Sequence, residues 1–151
     1  MIALAMLFSY IETFVPIPIP FVKLGLSNIV TLLLLFLEGP LVAFAVGLLR
    51  VILSSVLFGN LYSFAFSISG FLFSFLITLL MYKLKKFSII GMSITSGGVH
   101  NLTQILMAAL ILNNKALLSW TFVLCVIGII CGFITGIVAK PLYERIKKND
   151  W

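Results

Sequence analysis

PLVAFAVGLLRVILSSVLF, residues 40 to 58, is an unbroken apolar stretch with a single charge, Arg50, placed near its middle. A helix of this length crosses a hydrocarbon layer of about 30 Å, which takes roughly 17–25 residues. The Arg50 guanidinium then sits deep in the membrane. An arginine at that depth costs roughly 2.5–3.5 kcal/mol on insertion scales and has to face the protein interior, a carboxylate or a polar cavity. It is therefore the first candidate functional residue.

The stretches on either side read the same way. The chain is 62% hydrophobic and 9% charged, with a mean hydropathy of +1.27, so it has no polar faces to offer water. The expected fold is an all-α membrane protein of about six transmembrane helices in a single integral membrane domain covering residues 1–151. The segments are predicted at 2–15, 24–37, 40–58, 61–82, 89–112 and 117–139, followed by a basic tail at 140–151. Pro16-Ile17-Pro18-Ile19-Pro20 closes the first, because alternating prolines favour extended backbone. Glu38-Gly39-Pro40, Gly59-Asn60, the lysines at 83, 85 and 86, and Asn113-Asn114-Lys115 separate the others. The first segment has no basic flank and no small-residue cleavage pattern, which reads as a membrane helix and not a signal peptide.

Charge sets the expected orientation. Lys83, Lys85, Lys86, Lys140, Arg145, Lys147 and Lys148 fall on one face, and Lys23 and Lys115 on the other. Positive loops stay inside, so both termini are expected in the cytoplasm and the segment from Pro16 to Lys23 outside, as a candidate lid. The net charge of +6 is explained by this topology and needs no nucleic-acid partner. Cys125 and Cys131 project from different faces of one helix and cannot bridge each other there.

Some polar and small residues read first as packing. Gly128, Gly132 and Gly136 form a doubled GxxxG pattern that admits a neighbouring helix. Ser63, Ser67, Gly70, Ser74 and Thr78 make a small stripe at helical spacing, suited to helix contact or to lining a cavity. Ala3, Ala5 and Ser9 give the first segment a small-residue face, open equally to internal packing and to docking of a partner helix.

Chemistry is expected where polar side chains from several segments converge. The candidate substrate-binding set is Glu12, Lys23, Asn28, Arg50, His100, Asn101 and Gln104. His100 and Gln104, four apart, share a helix face, and Gly97-Gly98 thins that helix just before them. Arg50 has two readings: an internal ion pair with Glu12, or a clamp on a carboxylate or phosphate through parallel hydrogen bonds. His100 is either an interior histidine bonded across helices or a proton relay. As the sole histidine with no adjacent cysteine or carboxylate it makes a poor metal ligand. No cofactor, catalytic residue or ATP-binding motif is expected.

Ser9-Tyr10-Ile11-Glu12, the proline-rich stretch to Phe21, Lys23-Leu24-Gly25-Leu26-Ser27-Asn28-Ile29-Val30-Thr31, Leu49-Arg50-Val51 and His100-Asn101 together resemble the Gx transporter family, also called heptaprenyl diphosphate synthase component I. That family looks like the S components of energy-coupling factor transporters. The resemblance implies an S-component-like bundle that captures a small anionic or amphipathic micronutrient for uptake and docks on a transmembrane coupling subunit driven by ATPases. The alternative is a non-catalytic membrane subunit of heptaprenyl diphosphate synthase, with a soluble catalytic partner, in isoprenoid metabolism. Prenyl transfer uses magnesium held by acidic pairs. The chain has four acidic residues and one aspartate, Asp150 in the tail, so it cannot supply that site. Uptake predicts a polar cavity between the outer halves of the first, third and fifth segments, while the accessory reading predicts a lipid-facing groove and a basic partner face.

Overall fold

The computed structural model describes residues 1–14 and 27–149. Every element in them is helical: α1 (Ile2–Glu12), α2 (Asn28–Leu37), α3 (Pro40–Phe58), α4 (Leu61–Leu84), α5 (Ile89–Ile111), a 3-10 turn (Lys115–Trp120) and α6 (Thr121–Asn149). The candidate lid from Pro16 to Lys23, with Lys23 itself, lies outside the described residues.

Local chemistry fixes most of these ends. Gly39 has φ 93°, a left-handed conformation that suits glycine, and Pro40 follows at the first helical position, where its missing N–H is no loss. Asn60 accepts from the Ser63 N–H at 2.8 Å and Ser88 from the Gly91 N–H at 3.0 Å, each satisfying one orphan donor of a helix start. Three stretches are long and apolar enough to cross a membrane: Pro40–Phe58, Leu61–Leu84 and Lys115–Lys148.

Within the first two predicted spans the described residues show helix over Ile2–Glu12 and Asn28–Leu37, with residues 15–26 outside the description. α1 has 11 residues and α2 has 10, about 16 and 15 Å at 1.5 Å per residue, half the hydrocarbon thickness. α2 starts at Asn28 and returns through Glu38-Gly39 into α3, so its N-terminus lies at the level of Arg50, inside the bundle. Its residues Ile29 to Leu35 are all buried, the property of a helix that is apolar all round and enclosed by protein. It touches α1, α3, α5 and α6. At the other end of the chain, the predicted tail is helix: α6 continues through Pro141 to Asn149. Only the hydrogen bond that the proline cannot donate is given up.

The bundle is apolar outside and polar within. Leu41, Val56, Leu61, Leu110 and Phe122 are exposed, while Ser67, Ser74, Thr78, Ser93, His100, Asn101, Gln104 and Thr135 are buried. In α5 the buried positions recur every three or four residues, at 93, 97, 100, 101, 104 and 108, which places its polar stripe inward. α4 covers one side of that stripe and α6 the other. The α5–α6 contact is backbone on backbone. An added Cβ on Gly97 would fall on the Gly128 carbonyl oxygen, one on Gly128 on the Gly97 carbonyl, and one on Gly132 on the Ser93 carbonyl. At Gly136 it would lie 2.9 Å from Ile90 Cα.

Candidate functional site

Arg50 is the hub of one buried polar cluster. Its Nη1 donates to Ser27 Oγ and its Nη2 to Asn28 Oδ1 at 3.3 Å. The Ser27 N–H in turn donates to Glu12 Oε1 at 3.0 Å. Glu12 and Arg50 are both 4% exposed, so the two charges sit on opposite sides of Ser27 and together hold the first turn of α2. A carboxylate is well placed there, since a helix N-terminus carries unpaired N–H groups and a partial positive charge. The cluster joins α1, α2 and α3. Ala5 and Ser9 lie on the same buried face of α1 as Glu12.

His100 belongs to a second cluster. Gln104 Nε2 lies 3.1 Å from His100 Nε2, and Ser74 Oγ lies 3.5 Å from His100 Nδ1. Ser74 donates its own proton to the Phe71 carbonyl at 3.1 Å, which leaves its oxygen to accept. The arrangement is consistent with a neutral imidazole protonated on Nδ1 and accepting from Gln104 on Nε2. Gly70 makes room for the pair: a Cβ there would stand 3.0 Å from both His100 Cε1 and Gln104 Cγ.

Asn101 faces the other way. Its Nδ2 donates to the Leu124 carbonyl on α6 at 3.0 Å. Below it, Thr135 donates to the Gly132 carbonyl at 2.9 Å, so the 2.6 Å contact between Ser93 and Thr135 hydroxyls has Ser93 as donor. Asn101→Leu keeps the branched shape and loses the bond. A loss of about 0.6–1.7 kcal/mol is expected, the range for polar contacts between membrane helices, read as a lower melting temperature in detergent.

Among the described residues, the candidates thus form two separate groups, one around Arg50 and one around His100. α3 and α5 share no contact of their own, because α2 and α4 pack between them. What lies between them is a small cavity lined by Asn28, Thr31, Ser74, Thr78, Ser93 and Thr135, together with Phe71 and Phe75. It belongs to α2, α4, α5 and α6, not to the first, third and fifth segments as expected, since the short α2 displaces α1 and α3 from the centre. Its volume of about 20 Å³ has room for a single water; pockets for small organic ligands run to roughly 300–1,000 Å³. Asn28 alone of the candidate set lines it while also holding Arg50.

Ser27, Thr31, Ser93 and Thr135 were not singled out from sequence. Ser27 and Thr31 stood in the motif that carries the family resemblance, without a role of their own. The other two are hydroxyls among apolar residues, and only the packing gives them a role.

A lipid-facing groove is also present. It has a volume of about 590 Å³ and runs between α3 and α4, lined by Pro40, Leu41, Phe44, Leu72, Phe75, Leu76 and Leu79. At the same end the Phe36 ring meets Tyr82 at 5.3 Å and Tyr143 at 5.4 Å, pinning the ends of α2, α4 and α6 together. Lys83, Lys85 and Lys86 are thereby gathered at the end of the bundle that carries Arg145, Lys147 and Lys148, and Lys147 Nζ lies 5.8 Å over the Tyr143 ring.

Among the described residues no group of three histidine, cysteine or acidic side chains could hold a metal ion. Searches of curated proteins and of solved structures found no match. The family model for heptaprenyl diphosphate synthase component I matches residues 1–142. That match takes in α1 to α5, α6 as far as Leu142, the Arg50 and His100 clusters and the α3–α4 groove, and the chain belongs to this family.

Proposed function

We propose that this protein is the membrane-embedded, non-catalytic subunit of a heptaprenyl diphosphate synthase, and that it recruits a soluble catalytic subunit to the bilayer. The observation that carries the reading is the family assignment, which favours it over uptake of a micronutrient. The chemistry agrees: four acidic residues in the whole chain leave no means of holding the magnesium that ionises an allylic diphosphate. The chain is a component of such an enzyme and not its catalyst.

Two further features support a recruiting role. The basic end, from Lys83 to Lys86 and from Lys140 to Lys148, faces the cytoplasm by the rule that positive loops stay inside, with both termini on that side. It thus meets the compartment where a soluble prenyl synthase works. The exterior of α3, α4 and α6 is apolar, so a catalytic partner held there would release its product directly into lipid.

The test is co-purification. The tagged protein, co-expressed with a catalytic prenyl diphosphate synthase subunit and extracted in detergent, should retain that subunit. Lys147→Glu with Lys148→Glu should weaken retention about tenfold, and 1 M salt should weaken it in the unmodified protein by screening the same charges. A folded, monodisperse protein that retains no synthase overturns the proposal.

A further inference from the structure

The groove between α3 and α4 has a direction. Leu72, Leu76 and Leu79 line it from α4, and steps of four and three residues keep them on one face of the helix. The next step of four reaches Lys83, which is exposed. The apolar stripe therefore runs about 10 Å along α4 and, about 6 Å further, ends in a cation. Lys85 and Lys86, also exposed, follow at once. Pro40 and Leu41 at the start of α3 form the opposite lip, and Leu41 is 82% exposed.

The floor is fixed. Phe44 and Phe75 line the groove and stack with Phe71 in a three-ring cluster, with centroids 5.3, 5.8 and 5.7 Å apart. Phe71 is itself locked against α3, where a Cβ on Gly47 would collide with its ring. The gap is thus floored by rings held in place from behind. Glu38, exposed in the α2–α3 turn, is the carboxylate nearest this mouth in sequence, and three lysines outnumber it.

We infer that this groove holds the isoprenoid chain of a polyprenyl diphosphate, with the diphosphate at the basic mouth beside Lys83. The inference rests on the synthase reading above for its choice of ligand. The match is one of charge and shape: an apolar, methyl-branched chain in an apolar groove with an aromatic floor, and a multiply charged head group among lysines at the membrane surface. The groove takes the part of the chain next to the head, and the remainder lies in lipid along α4. A phospholipid tail has the same affinity for apolar surface but brings only a single phosphodiester charge to the mouth.

The experiment uses a farnesyl diphosphate analogue with a photoreactive group on its chain, added to the full-length protein in phosphatidylcholine nanodiscs. Labelling should map to residues 40–44 and 72–79 and be displaced by farnesyl diphosphate, but not by phosphatidylglycerol at the same concentration. Leu76→Trp, at a side chain 54% exposed, should fill the groove and cut labelling at least tenfold. Leu41→Trp on the opposite lip serves if that variant fails to fold. Lys83→Ala should cut labelling by the diphosphate probe about tenfold and leave labelling by the matching prenyl alcohol unchanged. Equal displacement by phosphatidylglycerol, labelling elsewhere, or indifference to the tryptophan overturns the inference.

Synthase retention, read on the same unmodified protein, separates the two proposals. Retention without groove labelling overturns the groove assignment and leaves the synthase reading standing. Groove labelling without retention overturns the synthase reading, and a polyprenyl diphosphate site remains.

Discussion

Arg50→Ala is expected to destabilise the protein by about 3–5 kcal/mol, the range found when one partner of a buried charge pair is removed. Glu12 would remain 4% exposed with the Arg50 charge gone, and Ser27 and Asn28 would both lose the Arg50 donor. The first turn of α2 depends on all of these. The expected result is a sharp fall in melting temperature in detergent, with α2 the first element to lose protection from hydrogen exchange. A folded Arg50→Ala protein with an unchanged melting temperature would instead assign the guanidinium to a ligand.

Gly132→Leu is the second large effect. Its first added atom falls on the Ser93 carbonyl oxygen and 2.9 Å from Ile94 Cα, and backbone at such a contact cannot rotate away. α5 and α6 must separate, breaking the Ser93–Thr135 and Asn101–Leu124 bonds between them. The loss should reach about 3 kcal/mol, the upper part of the usual overpacking range. Gly98→Ala is the control. Its Cβ would meet only the Ile129 side chain, at 3.3 Å, and alanine is the better helix former by roughly 0.5–1 kcal/mol. It should be neutral or stabilising, and both variants can be read by thermal unfolding in one detergent.

Much of the long-helix architecture was legible in the sequence because its punctuation is chemical. Gly39-Pro40 and Gly59-Asn60 bound α3 at the residues where the apolar run begins and ends, and Asn60 and Ser88 start α4 and α5 by capping. Of the run from Leu24 to Leu37 the described residues show helix over Asn28–Leu37, with Ser27 just before it held by Glu12 and Arg50. The basic residues after Ala139 read as a tail, yet at a membrane surface they serve equally as the outer turns of α6.

The site was half legible. Glu12, Asn28 and Arg50 stood out as polar groups among apolar residues, and the four-residue spacing of His100 and Gln104 brings them into contact. Their division into two clusters was not legible, because it depends on how α2 and α4 pack between α3 and α5, which share no contact of their own. The α3–α4 groove left no mark in the sequence either, since Leu72, Leu76 and Leu79 look like any lipid-facing stripe.

The inward polar stripe of α5 bears on how the chain enters the membrane. A helix carrying His100, Asn101 and Gln104 on one face is a poor passenger by itself, and its polar face becomes acceptable only once α4 and α6 have closed over it. Shelter for that face thus comes from helices made both before and after it in the chain.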